Sequence, residues 1–227
     1  MRRSLVFSAL VYALLACAVP AFAQDRTGTF EISPFGGAYF GGNLYDSGSG
    51  NLDVATNWAY GARFAYNVNR VFAIEVDWTR AKSDLDFQKY RNAPGCGQTA
   101  SGTPCYSPNG KVGKLTQDVY EANAIFNIGK GRVYGYVGVG AGAAVMKTEF
   151  NVGGSNSETR FTGNFSAGMR AFVTPHFGFR LDGRLRSTNT DQTTNRGTTC
   201  DYYGYCYYYH STWYYSSELT GGLVFAF

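Results

Sequence analysis

Arg180, Asp182, Arg184 and Arg186 stand two residues apart in one stretch of the chain, and Glu75 and Asp77 repeat that spacing much earlier. Side chains two apart in an extended strand share a face. Charges placed this way form ion pairs with charges on neighbouring strands when the strands meet in register. The same parity extends the set to Glu31, Arg63, Glu75, Asp77, Glu121, Arg170, Arg180, Asp182, Arg184, Arg186 and Glu218, six acids against five bases. Buried together, each must be paired and hydrogen-bonded, because an isolated charge is strongly destabilising or changes protonation. The turn Asn67-Val68-Asn69-Arg70 puts Arg63 opposite Glu75 or one pair away, so a bridge between these two is the most specific pair expected. Such a charge cluster is a polar core, and it could also gate the leakage of small ions.

The remaining reactive side chains do not assemble a reaction. His210, Ser211 and Thr212 lie near Glu218. Adjacent strand side chains point to opposite faces, so His210 shares a face with Thr212, a poor substitute for a serine nucleophile. His176 falls in a tight turn without a partner. No catalytic residue and no cofactor is expected. Of five cysteines, Cys17 lies in the N-terminal apolar run. The other four, Cys96, Cys105, Cys200 and Cys206, contain no C-x-x-C, and the two histidines lack finger-like spacing, so no metal site is expected. An even count in an exported chain reads as disulfides. Three connectivities are possible, and the local pairs Cys96 with Cys105 and Cys200 with Cys206 are favoured because each lies within one loop. Around the second pair cluster Tyr202, Tyr203, Tyr205, Tyr207, Tyr208 and Tyr209. Tyrosines give large contact area at low entropy cost, which suits adhesion to a glycan or protein, and they equally suit a membrane-proximal girdle.

These residues need elements to hold them. Met1 to Ala23 begins with Arg2 and Arg3, runs apolar from Leu5 to Val19 and ends in Ala21-Phe22-Ala23, the pattern of a secretory signal peptide cleaved before Gln24. Leu14-Leu15-Ala16-Cys17 resembles a lipobox, and its use would leave a lipidated Cys17, but the A-x-A site is the fuller match. Residues 24–227 are then a single domain. No further apolar run reaches the roughly 20 residues of a membrane helix. With 29 Gly, 18 Tyr and 17 Phe against 16% charged residues, the composition is that of a strand former. Removing Arg2 and Arg3 leaves 18 basic against 16 acidic residues, a balance that gives no reason to expect nucleic acid.

Alternation between turn signals marks eight strands: Thr29 to Phe40, Val54 to Tyr66, Val71 to Arg80, Thr116 to Ile128, Val133 to Met146, Arg160 to Val173, Phe177 to Arg186 and Thr212 to Phe227. Each is long enough to cross a bilayer on a tilt. Connections after strands two, four and six are tight, and those after one, three, five and seven are long. That asymmetry predicts an all-β, eight-stranded, antiparallel, up-and-down transmembrane barrel with short periplasmic turns and long extracellular loops. Strand charges fall opposite the aromatics. Aromatics inside would overpack so narrow a barrel, so they face lipid and the charges face the lumen. Pro34 makes the first strand the one of least certain register.

The Tyr134-Gly135-Tyr136-Val137-Gly138-Val139-Gly140-Ala141-Gly142 strand, the luminal Arg170 and Arg180 near a tight turn, and the closing Gly222-Leu223-Val224-Phe225-Ala226-Phe227 resemble the small eight-stranded barrels of Gram-negative outer membranes. These include the OmpA transmembrane domain, opacity-type surface antigens and "porin family" barrels. The resemblance covers residues 24–227. It implies an outer-membrane location, contact with outer-membrane lipid and lipopolysaccharide, and a terminal strand read by the barrel-assembly machinery through Leu223, Phe225 and Phe227. The chain stops with its eighth strand, so no peptidoglycan-binding domain is expected. The leading expectation is a non-enzymatic structural or adhesin-like barrel whose loops meet a host or glycan ligand. A narrow channel or OmpW-like route for small solutes is the alternative, and a lipid-modifying enzyme comes last.

Overall fold

The computed structural model describes residues 26–47, 50–89, 110–129, 131–151, 154–190, 199–200, 206–207 and 213–227. Among them every regular element is a strand. The chain runs through β1 (Phe30–Phe40), the short pair β2 (Asn43–Ser47) and β3 (Gly50–Val54), β4 (Asn57–Asn67), β5 (Phe72–Lys89), β6 (Gly110–Ile128), β7 (Val133–Phe150), β8 (Ser155–Phe172) and β9 (Phe177–Asn189). A two-residue ribbon, β10 (Thr199–Cys200) with β11 (Cys206–Tyr207), precedes β12 (Trp213–Ala226).

Eight of these strands form a closed antiparallel barrel. β4, β5, β6, β7, β8 and β9 pair consecutively, β9 pairs with β12, and β1 pairs with both β4 and β12. Beyond the ladder proper, the Phe227 N–H donates to the Phe30 carbonyl at 2.9 Å and the Phe30 N–H to the Phe227 carbonyl at 3.2 Å. Closure pairs both edges of the barrel strands through the lower and middle barrel, the condition for strands in lipid, and the β8–β9 ladder stops at Thr162, leaving Ser155 to Phe161 of β8 paired with β7 alone. Pro34 has no N–H to give. The β1–β12 register accordingly skips from Ile32 opposite Phe225 to Phe35 opposite Gly222, while Pro34 keeps its place opposite Ala62 on β4. The defect therefore affects one seam and shifts nothing.

Local chemistry makes the tight turns. Between β4 and β5 the Asn69 side-chain oxygen accepts the N–H groups of Val71 and Phe72, both at 2.8 Å. Between β8 and β9 the Thr174 hydroxyl accepts those of His176 and Phe177. Gly129 and Gly131, flanking the β6–β7 turn, take φ of 113° and 108°, a region that favours glycine.

The strands are longer than their sequence pattern predicts. β5 continues to Lys89 rather than Arg80, β6 starts at Gly110 rather than Thr116, β7 reaches Phe150, β8 starts at Ser155 and β9 reaches Asn189. The segment Gly41 to Asp53, expected as a loop, contains the β2–β3 hairpin, which continues the wall by pairing Val54 with Leu85 of β5. The reason is an inversion of the two faces. Along β5 the outward side chains run Ile74, Val76, Trp78 and then Arg80, Lys82, Asp84, while the buried ones run Glu75, Asp77, Thr79 and then Ala81, Ser83, Leu85. Below the change the barrel is polar inside and apolar outside. Above it, Val54, Leu85, Leu115, Val119, Ala144 and Met146 pack inside as an ordinary apolar core. At about 3.3 Å per residue and a tilt near 45°, the 18 residues of β7 rise roughly 40 Å, against an apolar band about 25 Å tall. The upper barrel stands clear of lipid, so the outer face carries no apolar alternation there.

Candidate functional site

In the lower and middle barrel the eleven charges expected inside are all buried. The network starts at the periplasmic end. Arg26, ahead of β1, lays its guanidinium over the Phe172 ring, donates to the Pro175 carbonyl at 3.2 Å and lies 3.7 Å from Glu31. Glu31 also accepts from the Asn67 amide at 2.8 Å and pairs with Arg170 at 3.0 Å. Arg170 reaches Glu75 at 3.5 Å, and the two Glu75 oxygens are gripped by the guanidinium of Arg180, one contact at 3.2 Å. Arg170 and Glu75 are 0% exposed.

Tyr136 ties this group to the next. Its hydroxyl accepts from Arg180 Nε at 2.6 Å and donates to Asp182, and both Arg170 and Arg180 stand over its ring. Gly168 makes room for it: a Cβ there would sit 2.4 Å from the Tyr136 hydroxyl and 2.3 Å from the Leu181 carbonyl. Arg63, stacked over Phe35, bonds Asp182 at 3.1 Å and Thr220 at 3.0 Å. The expected bridge from Arg63 to Glu75 is thus replaced. In register Arg63 faces Asp77, one pair beyond Glu75, and its guanidinium spans the lumen from β4 to β9 and β12. A long side chain in a narrow tube reaches the opposite wall more readily than it folds back along its own.

Towards the outer end Arg184 bonds Asp77 at 2.6 Å and Glu121 at 2.9 Å, while Arg186 grips Glu121 with two contacts of 2.9 Å and also bonds Glu218. Asn123 and Asn164 extend the chain from Asp77. Tyr39 then bonds Gln117 at 2.8 Å and Tyr214 at 2.7 Å, forming a hydroxyl layer beneath the apolar upper core. The whole is a stack of planar guanidinium forks matched to carboxylates, a geometry suited to fixed, multiply bonded pairs.

Counting alternate strand residues misses Arg26, because it precedes the first strand and has no parity to reveal it. With it the luminal balance becomes six acids and six bases. The same count puts Tyr136 inside without its role as a bridge. Leu223, Phe225 and Phe227 all point outward and are exposed, with the Phe225 ring against Phe177. The ribbon makes Cys200 the backbone partner of Cys206. Cys96, Cys105, Tyr202, Tyr203, Tyr205, Tyr208 and Tyr209 lie outside the described residues, as does the expected leader, and Tyr207 is described only by its place opposite Thr199. Among the described residues no group of His, Cys, Asp and Glu could hold a metal ion.

The outer wall is apolar through the middle of the barrel, with Val139 52%, Leu185 62% and Trp58 72% exposed. A continuous apolar belt of this extent is intelligible only against lipid. Solved structures share the architecture. Neisserial surface protein A superposes with a TM-score of 0.51 at 14% identity, over 88% of this chain and 97% of that one. The outer membrane protein OprG of Pseudomonas aeruginosa gives 0.51 at 13%, over 89% and 97%. No curated protein matches the sequence. Residues 9–204 match the family described as outer membrane protein beta-barrel domain. With the closed barrel, the lipid-facing belt and that match together, the chain belongs to the outer membrane protein β-barrel domain family.

Proposed function

We propose that this barrel is a non-enzymatic surface protein of the outer membrane: a plugged, rigid support whose extracellular loops contact the environment. The observation that carries the reading is the set of bonds crossing the lumen, Arg63 to Asp182, Arg180 to Glu75 and Arg186 to Glu121, with an apolar core above them. Paired charges at this density leave the interior as filling and move any recognition to the loops. On this reading outer-membrane lipid and lipopolysaccharide surround the wall, the assembly machinery reads Leu223, Phe225 and Phe227, and a host or glycan ligand meets the tyrosines between 202 and 209.

Two measurements test it. Planar bilayers holding the purified protein should stay electrically silent, and steady single-channel steps would replace the plug by a channel. Substituting Tyr207, Tyr208 and Tyr209 by Ser should weaken binding to host cells or glycans at least tenfold, and unchanged binding would remove the adhesive role.

A further inference from the structure

The outward cations above the aromatic belt are gathered on one side of the barrel. Among the described residues, Arg80 and Lys82 of β5, Lys111 and Lys114 of β6 and Lys147 of β7 face outward there, whereas β1, β4, β9 and β12 present no outward Lys or Arg at that level. Two of these cations are held in ion pairs, and a third, Lys147, lies within electrostatic reach of Asp118. Arg80 grips Asp118 through contacts of 2.6 and 2.8 Å, and Lys111 pairs with Asp84 at 2.6 Å.

Register aligns two of the other three, while Lys114 stands one row higher between Asp84 and Glu149. Lys82 and Lys147 both stand opposite Thr116, from its two sides, and Lys147 stands opposite Ser157. One outward row, exposed except for the half-buried Thr116, thus reads Lys, Thr, Lys, Ser across four strands. The two ammonium-bearing positions are two strand spacings apart, about 10 Å. The row below is Arg80, Asp118, Val145 and Thr159, and the row below that is Trp78, Tyr120, Ala143 and Phe161. Tyr120 and Phe161 are exposed, and the Trp78 indole N–H is fixed on Asp118 at 3.3 Å. Glu149, the nearest outward acid on β7, lies one row higher, opposite Lys114.

We infer that this β5–β7 wall seats the phosphorylated headgroup of an outer-leaflet glycolipid. Aromatic rings mark the boundary between acyl chains and headgroups. Lys82 and Lys147 lie two rows above that boundary, where an anionic headgroup attracts each nearby cation. Thr116 and Ser157 between and beside them offer hydroxyl donors. The belt below supplies an apolar wall for the acyl chains of the same molecule. The site belongs to the wall, so it stands whether or not the loops bind a ligand.

The test uses the folded full-length protein in phosphatidylcholine nanodiscs titrated with bisphosphorylated lipid A. Lys82→Gln with Lys147→Gln should weaken lipid A retention at least fivefold, while Arg132→Gln, in the periplasmic turn between β6 and β7, should leave it unchanged. Lys82→Arg with Lys147→Arg should retain it. Equal retention by wild type and the double Gln variant overturns the proposal, as does equal retention of dephosphorylated lipid A. Displacement of lipid A by millimolar inorganic phosphate would overturn the lipid assignment. A heat-dependent gel shift confirms that each variant is folded.

Discussion

Glu75 is shared by three arginines of the lumen, within 4 Å of Arg170, Arg180 and Arg184. Removing its charge leaves buried guanidinium groups without their partner, a change that costs about 3–5 kcal/mol. Glu75→Gln should therefore lower the unfolding free energy measured by urea titration in liposomes by that much. Replacing Glu75 and Arg180 together by Met should recover most of the loss, because it leaves fewer orphan charges. A Gln variant within about 1 kcal/mol of wild type would mean that the network does not hold the fold. Gly168→Ala tests the space beside Tyr136. Its new methyl must push on a hydroxyl and a backbone carbonyl, and overpacking of this kind costs roughly 1–3 kcal/mol. Adding Tyr136→Phe should return part of it. At this scale the sequence shows which side chains face inward, because parity alone decides that. It does not show their partners: Arg63 meets Asp182 across the tube, and neither spacing nor turn length encodes a contact made through the lumen.

Strand ends were harder to read than strands. The expected boundaries stop where the outward residues cease to be apolar, near Arg80 and Met146, although hydrogen-bonded pairing continues to Lys89 and Phe150. Water replaces lipid outside at that height, and the apolar side chains move to the interior, so a reader following one face loses the strand. The inversion predicts opposite sensitivities along the barrel. Val139→Arg, in the lipid belt, should cost about 2–4 kcal/mol. Leu85→Ala, inside the upper core and 0% exposed, should cost about 2–5 kcal/mol by unfolding in the same liposomes. Asp84→Ala, on the outer wall beside Leu85 and paired with the exposed Lys111, should stay within about 0.5 kcal/mol. If Leu85→Ala proves as mild as Asp84→Ala, the upper barrel is not a packed core.

The whole molecule was the most legible level. Eight alternating segments with turns short on one side could close in few ways, and aromatics that cannot fit inside a narrow tube decided which face met lipid. Unboiled protein should run faster than boiled on detergent gels, and identical mobility would contradict a closed barrel. The paired backbone groups of Phe30 and Phe227 carry a consequence of another kind. Once that seam is made, the barrel is a ring, and a ring has no intrinsic beginning. Splicing the chain ends with a short linker and opening it between β7 and β8 instead, at the turn around Gly154, would preserve every ladder of the finished object. The permutant would differ only in its itinerary, since its last strand would no longer be the one ending in Phe227. Stability belongs to the circle, while the order of assembly belongs to the place where it is cut.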